Sequence, residues 1–285
     1  MNFVLKVGAT GQEAARMMTS LGFSGQSVFT PIGKSRLSLF QAGRALNPDG
    51  VYGPASQAAM DNQIYRGIDV SDNNGDVDWK KVAKTQKFAF VKMTEGRTFK
   101  AKSAAFNYKS AKDAGIIVGG YHYARPDTDY CRTAPEMDAV VEARAFIERL
   151  KLCGWDVGDL IPCLDLEEGI KTDDEYNAKW ALHFLERVKK ELGVTPIIYT
   201  AKWAMDLYLR DISTELFDRI VQYPAWLADY TTNFNKDPKA ASEFDRWDIW
   251  QWTGSGKVDG VVGKVDMNWL PGGEIGLAKL RHKSC

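Results

Sequence analysis

Asp165 and Glu167 stand two residues apart at the end of the apolar run Leu160-Ile161-Pro162-Cys163-Leu164. A β-strand sends residues i and i+2 to one face, about 6.5 Å apart along the chain, so both carboxyls would project together from a strand end. Two carboxyls this close do not ionise independently; one is pushed toward a raised pKa and can donate a proton near neutral pH. Glycoside hydrolysis requires that combination. A solvated strand end can also carry Asp-x-Glu, so the pair takes its meaning from the elements around it.

From Gly67 onward, short β-rich runs alternate with helical patterns, as in a parallel α/β barrel. Eight candidate strands cover 67–70, 88–92, 116–123, 160–167, 196–199, 224–228, 247–252 and 263–266. Helical segments fill the gaps after the first five. The clearest carries Trp180, Ala181, Phe184, Leu185, Val188 and Leu192 on one stripe, with Gly193 as its stop. The expected fold is α/β, an irregular TIM-like barrel with about five helices in place of the regular eight. A small three-helix domain precedes it, read from helical stretches over Glu13–Leu21 (stopped at Gly22), Ser35–Ala45 and Pro54–Asn62. The turn Asn47-Pro48-Asp49-Gly50 separates the last two. The domain boundary is placed between residues 1–63 and 64–285. The junction over 61–66 is too poor in Gly, Ser and Pro for a flexible tether, so the two domains are expected to touch.

Catalytic groups of parallel barrels sit at the C-terminal ends of the strands. Asp69 ends the first strand, Glu95 lies at the end of the second, and Tyr121 and Tyr123 end the third. Asp165 and Glu167 end the fourth, Tyr199 the fifth, Trp226 and Tyr230 the sixth, Trp250 and Trp252 the seventh, and Asp266 the eighth. Glu167, Asp165, Asp69 and Asp266 are therefore the catalytic candidates. Tyr121, Tyr123, Tyr199, Trp226, Trp250 and Glu95 are the substrate-binding candidates. Aromatic faces cover the apolar faces of pyranose rings, and carboxylates handle hydroxyls and the glycosidic oxygen, so carbohydrate suits such a mouth. His122 has the opposite strand parity from Tyr121 and Tyr123 and reads as a packing residue; Glu168 likewise points away from Glu167.

Lys and Arg total 37 against 37 Asp and Glu over 285 residues, with no basic run, which argues against a nucleic-acid partner. Residues 1–62 hold five basic and three acidic side chains, a mild positive surplus. Met1-Asn2-Phe3-Val4-Leu5-Lys6 lacks the head and apolar stretch of a secretory signal, and no apolar run approaches membrane-spanning length. Synthesis in a cytoplasm without stable membrane insertion is expected. Cys131, Cys153, Cys163 and Cys285 form no C-x-x-C pair and read as reduced, structural residues. The three histidines, His122, His183 and His282, form no ligand set, so neither metal nor cofactor is expected.

Residues 66–270 resemble the lysozymes of glycoside hydrolase family 25. The motifs that carry the resemblance stand in order as Gly67 to Ser71, Lys92 to Gly96, Tyr121-His122-Tyr123, Asp165-Leu166-Glu167, Ile198-Tyr199-Thr200, Ala225 to Tyr230, Trp250 to Thr253 and Val265 to Asn268. The resemblance implies a (β/α)5(β)3 barrel and an N-acetylmuramidase, which hydrolyses the β-1,4 bond from N-acetylmuramic acid to N-acetylglucosamine in peptidoglycan without a cofactor. It implies Glu167 as general acid/base and Asp165 as the group that steadies the substrate's own acetamido group in a net-retaining reaction. Asp69 and Asp266 match supporting acids. Strand geometry itself leaves a protein nucleophile open, because side-chain torsions move the carboxylate separation across the range that distinguishes mechanisms.

Residues 1–62 are similar to small peptidoglycan-binding modules in which F-Q precedes D-G-x-x-G, here Phe40-Gln41 and Asp49 to Gly53. The combination looks like a bacteriophage endolysin, a monomer reaching the wall from the periplasmic side after a separate membrane lesion and lysing its host. A bacterial autolysin exported by another route is the alternative origin. Two other functions compete: a non-catalytic glycan-binding barrel, and a chitinase-like hydrolase. Family 18 chitinases also end their fourth strand in D-x-E, but with a further Asp where this chain has Cys163.

Overall fold

The computed structural model describes residues 4–21, 23, 26–61, 63–127, 134–231 and 237–283; Gly22, Asn62, Cys131 and Cys285 lie outside them. The chain forms two compact units, Met1–Tyr65 with Leu270–Leu280, and Arg66–Trp269 with Arg281–Cys285.

The sheet holds β1 (Ile64–Val70), β2 (Phe88–Glu95), β3 (Phe99–Lys100), β4 (Ile117–Tyr123), β5 (Cys163–Asp165), β6 (Ile197–Ala201), β7 (Ala225–Ala228), β8 (Ile249–Gly256) and β9 (Val265–Pro271). Their order is β1-β9-β8-β7-β6-β5-β4-β2-β3, and a β1–β2 pairing closes eight of them into a ring. β3 is an extra two-residue strand, antiparallel to the end of β2. Around the ring the pairs from β1 through β2, β4, β5, β6 and β7 to β8 are parallel, and β9 runs antiparallel to β8. Helices occupy the first five connections: Trp79–Val82, Ala104–Asp113, Pro135–Leu152, Asp174–Leu192, and the pair Lys202–Tyr208 and Thr214–Ile220. The sixth keeps one turn, Ala241–Phe244, and none is seen between β8 and β9 among the described residues. This is the irregular barrel expected from the sequence.

Local chemistry explains the boundaries. Asp173 accepts from Tyr176 N and caps the helix Asp174–Leu192, and Gly193 ends it at φ +70°, a conformation that favours glycine. The fourth strand is shorter than the expected 160–167, because Pro162 has no N–H to give a ladder. Leu160 N still donates to Val118 O on β4 (2.9 Å), and the residue also bridges to Arg281. Beyond Asp165 the chain stays pinned: Leu166 N donates to Tyr199 O (2.9 Å), and Thr200 Oγ1 donates to Leu166 O (2.9 Å). Glu167 is thereby held near the sheet although it lies outside the strand.

β4 takes its place in the ring between β2 and β5 with two glycines. A Cβ on Gly119 would lie 2.8 Å from Leu160 Cβ and 2.8 Å from the Phe90 ring. Gly119→Ala is expected to cost about 1–3 kcal/mol, as overpacking does. The check is a lower urea midpoint at constant m-value; an unchanged midpoint would mean that β4 moves aside freely.

In the first unit, helices Gln12–Ser20, Pro31–Ala42 and Pro54–Asp61 surround Met17, Met18, Phe29, Leu37, Tyr52 and Met60. The second helix starts four residues earlier than expected, because Thr30 accepts from Gly33 N (3.1 Å) and Pro31 takes the first helical position. Gln41 is buried: its Nε2 reaches Asp49 Oδ1, Val51 O and Ser56 Oγ, while its Oε1 accepts from Gly50 N (2.9 Å). Phe40-Gln41 and Asp49-Gly50 are thus linked through one side chain that fixes the turn. Helix Gly273–Lys279 packs on the first and third helices, so this late segment counts with the first unit.

Candidate active site

Tyr123, Asp165, Tyr199 and Trp226 are register partners on β4, β5, β6 and β7. Partners on parallel strands face the same way, so these four form one inward layer. Trp226 lies at its base, 4.6 Å from Phe90 and edge-on to Tyr199 (4.9 Å) and Tyr121 (6.5 Å), with its indole donating to Asn268 Oδ1 (2.8 Å). At 2% exposure it fills the barrel beneath the acids and offers no face to a sugar.

Trp250 departs further from expectation. It packs against Trp247 and Trp269, each at 5.7 Å, and donates to Asp229 O. Its neighbour Gln251 takes the inward place. Strand alternation forces that exchange, since in Trp250-Gln251-Trp252 only one parity can face the ring. The amide is the group with partners there: Gln251 Oε1 accepts from the hydroxyls of Tyr199 and Tyr230, both 2.9 Å, and Nε2 donates to Asp69 Oδ2 (3.0 Å).

Asp69 is fully buried and also accepts from Asn268 Nδ2 (2.7 Å). Burial pushes its carboxyl well above the usual range, Asp266 repels it further, and the two amides only partly offset this. Burial also raises Asp266. Asp165 is raised well above the ordinary value, first by burial and then by Glu167, with Lys92 opposing. Glu167, half-buried, is raised by burial and then by Asp266, again against Lys92. Asp165 Oδ1 has no hydrogen-bond partner among the described residues. Four carboxyls, from the ends of β1 and β5 and the start of β9, thus hold protons above the usual carboxylate range. The buried Tyr121 and Tyr199 hydroxyls are likewise driven upward, by burial first and by these acids next, and stay protonated donors.

A chain of charges borders the acids. Lys92 Nζ lies 2.6 Å from Glu95 Oε2 and 4.5 Å above the Tyr123 ring. Arg125 binds Glu95 Oε1 through two nitrogens (2.8 and 2.7 Å), covers Tyr123 at 4.8 Å and pairs with Glu168. Burial opposes ionisation of Glu95, but the bonds from Lys92 and Arg125 outweigh it and hold the carboxyl below its ordinary range. Glu95 therefore serves the rim as a paired anion. His122 is a packing residue, bonded to Glu142 (2.7 Å) and Thr94 (2.8 Å) and stacked on Phe184.

Of the candidates, the structure brings together Asp69, Asp165, Glu167, Asp266, Tyr121, Tyr123 and Tyr199, and turns Trp250 away. Sequence reasoning assigned no part to Lys92, Gln251, Asn268 or Arg125. Asn268 was accessible by parity, two residues after Asp266 on the same strand. Among the described residues, no cluster of three or more His, Cys, Asp and Glu side chains is arranged to hold a metal ion. Glu167 opens into a pocket of about 490 Å³ whose lining includes Tyr199, Trp203, Asp229 and Tyr230.

The sequence pattern of Glycosyl hydrolases family 25 matches residues 68–261. The chain is 31% identical over 212 residues to the uncharacterized protein YegX of Escherichia coli K12, covering 72% of this chain and 69% of that protein. It is 29% identical over 257 residues to Lysozyme M1 of Streptomyces globisporus, covering 86% and 79%. Among solved structures, the bacterial lysozyme from Streptomyces coelicolor matches with a TM-score of 0.64 at 28% identity, over 76% of this chain and 96% of that one. A family match that begins in β1 and runs into the β8–β9 turn spans every strand end but the last; the chain belongs to glycosyl hydrolases family 25 and is a hydrolase of the lysozyme type.

Proposed function

We propose that the enzyme is an N-acetylmuramidase that cuts the β-1,4 bond from N-acetylmuramic acid to N-acetylglucosamine with net retention. The observation that carries this is the pairing of a half-buried Glu167, open to a pocket, with a buried Asp165 whose Oδ1 has no hydrogen-bond partner among the described residues. A carboxylate in that position can accept the N–H of a substrate acetamido group. Glu167 gives its proton to the leaving glycosidic oxygen while the acetamido carbonyl oxygen attacks the anomeric carbon, forming a cyclic oxazolinium. Asp165 stabilises the positive charge of that intermediate. Glu167, now ionised, takes a proton from water, and the resulting hydroxyl opens the ring from the face the leaving group vacated, returning the original configuration. Burial retains a proton in the Asp165–Glu167 pair in the free enzyme; a sugar that offers Asp165 an N–H favours ionised Asp165 and places the proton on Glu167.

Asp69 and Asp266 support the pair through the buried amides and through their field. The first unit, with its Gln41-fixed turn, is proposed to hold peptidoglycan, and the whole to act as a monomeric phage endolysin. In that setting it is made in the host cytoplasm and reaches the wall after the membrane is breached. Digestion of purified peptidoglycan, borohydride reduction of the new ends and identification of the reduced sugar test the assignment. Reduced muramic acid is expected; reduced glucosamine would move the cut to the other bond.

A further inference from the structure

We propose that Trp203 is the platform of an additional subsite, which takes an uncharged N-acetylhexosamine ring of the same glycan strand beside Glu167. The inference rests on the muramidase reading and extends it to a residue that the four acids do not touch. Trp203 lies on helix Lys202–Tyr208, just after β6, and lines the pocket that also contains Glu167. The helix buries Ala204, Met205 and Tyr208, so its packing face is supplied without Trp203. Trp203 is 52% exposed, a large apolar ring left in solvent at the mouth of a glycosidase.

Its surroundings fit a sugar ring. Ala201 and Ala228 are register partners at the ends of β6 and β7, and their small side chains leave the floor open. Tyr230 stands 61% exposed, yet its hydroxyl is tied to Gln251 Oε1 at 2.9 Å, so the ring is held in place before any ligand arrives. An aromatic surface fixed in advance costs little entropy on binding. The pocket volume of about 490 Å³ falls within the about 300–1,000 Å³ usual for ligand sites. Charges at the rim satisfy each other: Lys202 pairs with Asp206 and lies 3.8 Å from Glu243, and Lys239 lies 3.5 Å from Asp229. A charged peptide stem would have to break those pairs, whereas a neutral sugar ring need only lay its C–H face on the indole.

The test compares the full-length wild type, Trp203→Ala and Trp203→Phe on long glycan strands and on the shortest fragment each cleaves, with kcat and KM separated. On long strands Trp203→Ala is expected to lower kcat/KM about tenfold, mainly through KM, a loss at least several times that on the short fragment. Trp203→Phe should recover most of it. An Ala variant that matches the wild type on long strands, or an equal loss on long and short substrates, overturns the subsite. If the wild type produces no new reducing ends from any glycan, the muramidase reading fails first and the subsite with it. That outcome is distinguishable from a wild type that cuts and a variant that is indifferent.

Discussion

Glu167→Gln lowers the rate of glycan cleavage by about 10²–10⁴-fold, the range contributed by a positioned proton donor. The amide keeps the size of the side chain and loses only the proton it must give and take back. Among the described residues the side chain lines the pocket and is not a structural hydrogen-bonding partner. Removing a carboxyl whose ionisation is opposed by burial and by Asp266 also takes no stabilising charge from the barrel. The expected result is an enzyme with an unchanged circular dichroism spectrum, undiminished thermal midpoint and intact wall binding that releases almost no new reducing ends. Cleavage within a few-fold of wild type would remove Glu167 from the reaction.

Asp165→Asn is expected to move activity and stability in opposite directions. Its carboxylate is the group placed to stabilise the positive intermediate, and losing one such electrostatic partner typically costs about 10²–10³-fold in rate. For the fold the sign reverses. The folded pKa of Asp165 is raised by burial and by Glu167, so the unfolded chain ionises first as pH rises. Stability from this group is complete below the unfolded pKa of about 3.9 and is lost as pH climbs through the folded value. Asparagine escapes that loss. Thermal midpoints should therefore be higher for the variant near neutral pH, and the gap should close on acidification toward about pH 3. A variant that melts below wild type at neutral pH would show that the charge is better accommodated than its burial implies. This is the stability that an active site gives up for function.

The ring of eight strands was legible because parallel strands buried on both faces read as short apolar runs, and their ends fall where polar residues resume. Asp69 and Asp165 were legible for the same reason, each lying at the end of such a run; Asp266, expected to end the last strand, instead opens β9, whose antiparallel course brings its start to the mouth. Parity misled at β8, where two tryptophans draw attention and the glutamine between them faces inward. Gln251 and Asn268 carry no chemistry of their own, so residue type does not announce them; only the pairing of β8 with β9 and the burial of Asp69 gives them a purpose. The placement of helix Gly273–Lys279 with the first unit is a packing choice between segments more than two hundred residues apart, for which no local pattern exists. The early start of helix Pro31–Ala42, by contrast, was readable from Thr30-Pro31.

Asp69 takes its two amide bonds from residues 182 and 199 positions further along the chain. Ribosomes add about 5–20 residues per second, so roughly 10–40 seconds separate the synthesis of Asp69 from that of Asn268. For about the second half of that interval the nascent chain already carries Asp165 and Glu167, but the ring cannot shut and Asp69 lacks the donors that make its burial tolerable. Pairings of such long sequence separation also rank among the slowest steps of folding. Completion of β9 is therefore what closes the ring and supplies Asn268, so Asp69 gains its second amide donor only near the end of synthesis.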